Sequence, residues 1–225
     1  MGAIAERYEW ICRQVAEAAD HVGRDACDIT VVAVTKNVGV PEIQQALAAG
    51  ILDLGENRVQ EFSGKQAMFP EARWHFIGTL QTNKAKHVVG KAHLIHSVDS
   101  LRLLETIDSR AADVDVRQPV LLQVNVAGEA TKHGFAPCDL ADVLLEADKM
   151  DNIVVKGLMT MAPFGSPEDQ RWVFQELREV RDNLCVKPHN GVELDELSMG
   201  MTNDYRVAVE EGSTIVRIGR AIFGR

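Results

Sequence analysis

Residues Ile29-Thr30-Val31-Val32-Ala33-Val34-Thr35 are β-branched or small, and apolar on both faces. A strand of this kind has no side to give to water. It belongs inside a sheet covered on both faces, which for parallel strands means covered by helices. The neighbouring segments supply them. Upstream, Tyr8, Ile11, Val15, Ala18, Ala19 and Val22 recur at helical spacing over 6–22, with Gly23 as the stop. Downstream, Pro41 opens a second helix and Gly50 closes it. The same rhythm then repeats.

Further strands are predicted at 52–55, 75–79, 93–97, 120–126, 154–161, 196–199 and 214–218. Helices are predicted at 101–111, 139–149, 168–184 and 205–211, with Ser100 and Ser166 as N-caps for two of them. No Pro/Ser-rich linker or low-complexity tract interrupts the series, so residues 1–225 read as one parallel α/β unit. About eight strands fit a closed (β/α)8 TIM barrel with an extra N-terminal helix. A doubly wound open sheet is the runner-up. Its phosphate fingerprint should follow the first strand, but Thr35-Lys36-Asn37-Val38-Gly39 contains no GxGxxG.

Composition narrows the function. The chain carries 33 Asp+Glu against 24 Lys+Arg, a net charge of −9, which argues against gripping nucleic-acid backbones. The basic stretch from Asn83-Lys84-Ala85-Lys86-His87 to Lys91 is expected to be a solvated helix face. No apolar run reaches the ~20 residues that span a bilayer. The charged N-terminus lacks the apolar core of a signal peptide, so a cytoplasmic protein is expected. Cys12, Cys27, Cys138 and Cys185 are scattered and read as free thiols, mostly small core residues. No metal site is expected, since alternation would send His93 and His96 to opposite faces of a strand.

Barrel chemistry lies at the C-terminal ends of the strands. Those positions hold Lys36, Glu56 and Asn57, Gly78, Ser97 and Asp99, Asn125, Met159 and Met161, Ser198 and Gly200, and Gly219. Val32, Val34 and Lys36 share one face of the first strand. At the rim of an apolar interior the Lys36 amine would be desolvated and nucleophilic towards carbonyls, or it would simply snorkel to water. The loops Ser198–Asp204 and Ile218–Gly224 are the two that commonly form barrel phosphate sites, although Gly/Ser turns alone carry little information. Arg217 interrupts the apolar run Thr214–Ile218 and needs a partner, either a structural carboxylate or a ligand. A lysine, phosphate loops and an interior arginine together suggest pyridoxal 5'-phosphate (PLP).

These residues carry a family resemblance. The stretches Val32-Ala33-Val34-Thr35-Lys36, Gly55-Glu56-Asn57, Trp74-His75-Phe76-Ile77-Gly78-Thr79-Leu80-Gln81-Thr82-Asn83-Lys84, Gly157-Leu158-Met159, Leu197-Ser198-Met199-Gly200-Met201 and Val216-Arg217-Ile218-Gly219 closely resemble the pyridoxal phosphate homeostasis protein family. The barrel of that family is similar to the N-terminal domain of alanine racemase. The resemblance implies PLP held as a Schiff base on Lys36 and Arg217 at the pyridine nitrogen. It further implies Ser198, Gly200, Gly219 and the Arg220 amide around the phosphate, with Asn57, Met159 and Val34 lining the ring. Relatives often carry Thr or Ser where Arg220 stands, so a side-chain contact to phosphate from that position is not implied. The expected role is PLP homeostasis without robust turnover, with apo PLP-enzymes as recipients and a monomeric state. A racemase needs a second acid, and neither Tyr8 nor Tyr205 falls at a predicted strand end. The alternatives are a PLP-dependent racemase of low activity and, further off, an aldolase-type barrel using Lys36.

Overall fold

The computed structural model of the chain describes residues 2–129, 133–184 and 191–224. Its eight strands are β1 (Thr30–Val34), β2 (Asp53–Glu56), β3 (Arg73–Phe76), β4 (Leu94–Val98), β5 (Gln118–Gln123), β6 (Ile153–Met159), β7 (Val192–Met201) and β8 (Ile215–Ile218). All neighbours pair in parallel, and β8 returns to β1 with Thr30 opposite Ile215 and Val32 opposite Arg217. That closing pair turns the sheet into a barrel and excludes the open doubly wound sheet.

The helices are α1 (Ala3–His21), α2 (Val40–Ala48), α3 (Val59–Met68), α4 (Leu101–Asp113), α5 (Leu140–Ala147), α6 (Arg171–Leu184), α7 (Tyr205–Glu210) and α8 (Arg220–Phe223). The extra N-terminal helix, α1, buries Ile4, Ile11, Val15, Ala18 and Ala19 and stops before Gly23, whose φ of 71° suits glycine. Val22 lies past the helix end and is exposed, so it does not belong to the buried stripe. Ser100 accepts from the Leu103 amide as the expected cap of α4, and Ser166 accepts from the Asp169 amide. The basic stretch is a 3-10 helix at Thr82–His87, with Ala85 buried and Lys86, His87 and Lys91 in solvent.

Two apolar regions hold the fold together. The larger lies between strands and helices, where Phe62 of α3 packs edge-on against Trp74 and Phe76 of β3. The smaller fills the barrel with Val32, Leu94, Leu121, Met159 and Ile215. The cysteines differ from expectation. Cys12 is half-buried, while Cys27 and Cys138 are exposed free thiols; Cys185 lies outside the described residues.

Candidate functional site

Lys36 follows β1 directly and is exposed. The apolar interior therefore does not enclose its amine, contrary to the desolvation argued from the sequence. The backbone beneath it is firmly held. The Thr35 hydroxyl bonds to Gly55 O (3.1 Å) and to Glu56 Oε1 (2.9 Å). The buried Lys65 ammonium donates to Thr35 O (2.8 Å), Glu56 Oε1 (2.5 Å) and Glu61 Oε2 (3.0 Å). The ends of β1 and β2 are thus cross-braced from α3. Asn37, in the left-handed region with φ 59°, then turns the chain into α2.

Arg217 points into the barrel, on the same face as Ile215, and is only 5% exposed. Its guanidinium donates to Ser198 Oγ (2.5 Å) and to Thr160 O (2.9 Å). Among the described residues it makes no ion pair, so the structural-carboxylate alternative does not hold there. Burial pulls its pKa down to about 10, against the opposing charge of Asp204. Arg217 sits opposite Val32 across the β1–β8 pair, and the chain reaches Lys36 four residues further on, just past the end of β1.

Below Arg217 the interior carries a row of polar groups. Ser198 Oγ lies 2.8 Å from His96 Nδ1. His96 Nε2 lies 2.9 Å from His75 Nδ1, and His75 Nε2 lies 3.1 Å from Asp53 Oδ1. Asp53 also takes a two-pronged bond from Arg73. Gly55 leaves room for Val32 in the barrel interior, because a Cβ there would come within 2.9 Å of Val32 Cγ1. His93 precedes β4 rather than lying in it. Its ring and that of His96 both flank His75, with centroids 5.4 and 5.1 Å away, so strand alternation does not separate them. Among the described residues no three His, Cys, Asp or Glu side chains are arranged to hold a metal.

The pKa shifts in this column predict acid sensitivity. Burial holds His96 neutral, well below the ordinary 6.5, so below that pH only the unfolded chain takes up its proton. For Asp53, burial pushes the pKa up, but the hydrogen bonds and charges of His75 and Arg73 outweigh it and bring it to about 2. Its stabilisation is present above 3.8 and is lost as pH falls towards 2. Urea midpoints of the ligand-free chain should therefore fall below about pH 6.5 and drop further between about 4 and 2. Asp53→Asn should flatten the lower leg by about 1 kcal/mol, allowing for solvent screening at Arg73. An unchanged lower leg would remove Asp53 as its cause.

The loops after β7 and β8 meet at the mouth. Gly200 has φ 91°, and a Cβ there would lie 2.6 Å from Ala208 Cβ, so glycine lets β7 turn tightly onto α7. Gly219 caps α8 and sits against Val34, where a Cβ would be 3.3 Å from Val34 O. Arg220 is exposed, and its guanidinium reaches Asn203 Oδ1 (3.3 Å), tying the two loops together. The Ser198 hydroxyl faces the other way, occupied by Arg217 and His96 inside the barrel. Asn57 donates its amide to Glu56 Oε2 (3.1 Å), while its buried Oδ1 has no hydrogen-bond partner. Met159 and Val32 line the interior beneath.

Of the residues singled out by the strand-end pattern, Lys36, Gly200, Gly219 and Arg220 lie at the mouth, while Met159, Ser198 and Arg217 lie in the interior beneath it. The pattern missed Lys65, Asp53, His75 and Thr160 as supporting groups. The signal for Lys65 was present, since Glu56 at a strand end demands a buried cation. The unfilled Asn57 carbonyl, the unpaired buried Arg217 and the glycine-bordered loops suit a flat, anionic, heteroaromatic guest.

Comparison with known proteins agrees with this geometry. Residues 9–225 match the family described as alanine racemase, N-terminal domain. A pyridoxal phosphate homeostasis protein of Aquifex aeolicus is 42% identical over 222 residues, covering 97% of this chain and 96% of the relative. PipY of Synechococcus elongatus, solved with PLP bound, is 34% identical with a TM-score of 0.84, covering 98% of this chain and all of that one. Alanine racemase from Streptomyces coelicolor shares the fold, with a TM-score of 0.72 at 18% identity. It covers 99% of this chain and 58% of the racemase.

Proposed function

Because this chain belongs to the pyridoxal phosphate homeostasis protein family, we propose that it is a single PLP-binding barrel that holds the cofactor and passes it on. The observation that carries this reading is Arg217, a buried cation that makes no ion pair among the described residues, on β8 where it pairs with the strand leading to Lys36. When bound, the cofactor supplies an aldehyde that condenses with amines and an aromatic ring that draws electrons from the product.

The residues divide the work. The Lys36 amine, exposed on a braced backbone, would hold the cofactor by its aldehyde. Arg217 would donate to the ring nitrogen and, staying protonated, would leave that nitrogen an acceptor. A ring so paired is a weaker electron sink than one facing an aspartate, which favours storage over carbanion chemistry. Gly200, Gly219 and the Arg220 amide surround the phosphate, with the Arg220 guanidinium adding positive charge at the rim. Asn57, Met159 and Val34 would line the ring, and the buried Asn57 carbonyl, without a hydrogen-bond partner among the described residues, is left free to accept from a ligand.

A racemase reading needs a second acid at the mouth. Tyr8 belongs to α1, where burial raises its pKa, and Tyr205 is buried on α7 with its own pKa raised by burial. Neither suits two-sided proton transfer. We place the protein in the cytoplasm as a monomer, with apo PLP-enzymes as recipients; the exposed free thiols of Cys27 and Cys138 suit a reducing compartment.

The test is direct. Purified chain mixed with PLP should develop a visible absorption band. Borohydride reduction followed by peptide mapping should then find the pyridoxyl group on Lys36, and transfer to an apo-enzyme should bleach the band. A colourless mixture, or a label spread over surface lysines, would overturn the proposal.

A further inference from the structure

The polar row beneath Arg217 has a direction when both histidines are neutral, and hydrogen-bonding capacity then fixes it. Asp53 is held ionised by Arg73 and His75, so it only accepts, and His75 must carry a proton on Nε2. A neutral His75 then accepts at Nδ1, so His96 must donate from Nε2. A neutral His96 accepts at Nδ1, so the Ser198 proton points to His96. The lone pairs of Ser198 are thereby turned to the Arg217 guanidinium. Every donor points away from the mouth and towards Asp53. A cation at the top and a carboxylate at the bottom are joined by neutral groups, each polarising the next.

We propose that Asp53, His75 and His96 are positioning residues that act through Ser198 to hold Arg217 against the ring nitrogen of a bound pyridine.

The charged and titratable groups around His75 suit this role. Asp53 on β2 and Arg73 on β3 lie at the far end, and Tyr8 of α1 interacts with both. His93 lies beside the ring, with Lys156 of β6 acting on His93. His96 and, beyond it, Arg217 lie towards the mouth. The assignment of a pyridine ring to Arg217 rests on the function proposed above; the direction of the row does not.

Nitrogen-15 NMR of histidine-labelled, ligand-free protein reads the row itself. At roughly pH 8, His75 and His96 should both carry their proton on Nε2. A His96 proton on Nδ1 at that pH would overturn the direction.

In the PLP-loaded protein, His96→Gln should raise the cofactor dissociation constant about fivefold at pH 8, as expected for one lost hydrogen bond, and shift the visible band. An unchanged affinity and band would sink the positioning role. Wild-type protein that takes up no PLP would defeat the function proposed above, while the tautomer result would stand on its own.

Discussion

Replacing Lys65 with methionine is expected to lower the thermal midpoint by roughly 6–20 °C. The change strands Glu56, which is fully buried and keeps only the Thr35 hydroxyl and the Asn57 amide as donors. Removing one partner of a buried pair costs about 3–5 kcal/mol, because the other charge stays desolvated. In a chain of this size each kcal/mol moves the midpoint by about 2–4 °C. The carbonyl of Thr35 also loses its donor, so the turn that presents Lys36 loosens. Pairing the change with Glu56→Gln removes the stranded charge and should restore most of the loss. Calorimetry of the single and double variants decides the matter. A single variant that melts with the wild type would mean that the brace between β1, β2 and α3 does not stabilise the fold.

Arg217→Met should separate binding from stability. The depressed pKa of Arg217, about 10, means that its charged form costs the ligand-free fold roughly 3 kcal/mol. For a base whose pKa is lowered in the fold, the sign is that stability would rise as pH climbs above about 10. Methionine removes that cost but leaves Thr160 O and Ser198 without their donor, at about 1–3 kcal/mol each. The two effects nearly cancel, so the melting temperature without ligand should shift by only a few degrees in either direction. Cofactor affinity, in contrast, should fall roughly ten- to hundredfold, the worth of a hydrogen bond from a charged donor. Equilibrium dialysis against PLP, alongside thermal melts, separates these outcomes. A large drop in melting temperature with affinity intact would make Arg217 a structural residue.

The sequence made the barrel legible because its strands are buried on both faces. Runs such as Val31-Val32-Ala33-Val34 and Val120-Leu121-Leu122 have no polar alternation to confuse with an exposed strand. Where burial is uneven, the reading weakened. β7 begins at Val192, not at residue 196, because Glu193 and Asp195 interrupt its outer end. α3 escaped notice because the face it buries includes Lys65, which breaks the apolar period that marks a helix.

The site divides in the same way. Lys36, Gly200, Arg217 and Gly219 sit at strand ends or break an apolar run, so position alone singles them out. The row from Asp53 to Ser198 does not announce itself. Its members lie on β2, β3, β4 and β7, and the bonded neighbours His96 and Ser198 are 102 residues apart. Each sits in a strand where a single polar residue looks incidental, and only the closed register brings them into line.

The pairing of β8 with β1 is the seam at which the barrel closes, and it joins residues about as distant in sequence as the fold allows. Lys36 extends from one side of that seam and Arg217 stands on the other. A guest held by both is therefore a staple across that seam. Such a guest selects the sealed barrel over any state in which the seam has opened, stabilising it in proportion to its own affinity. Without the guest the barrel loses that staple, and the seam opens at a lower cost in free energy.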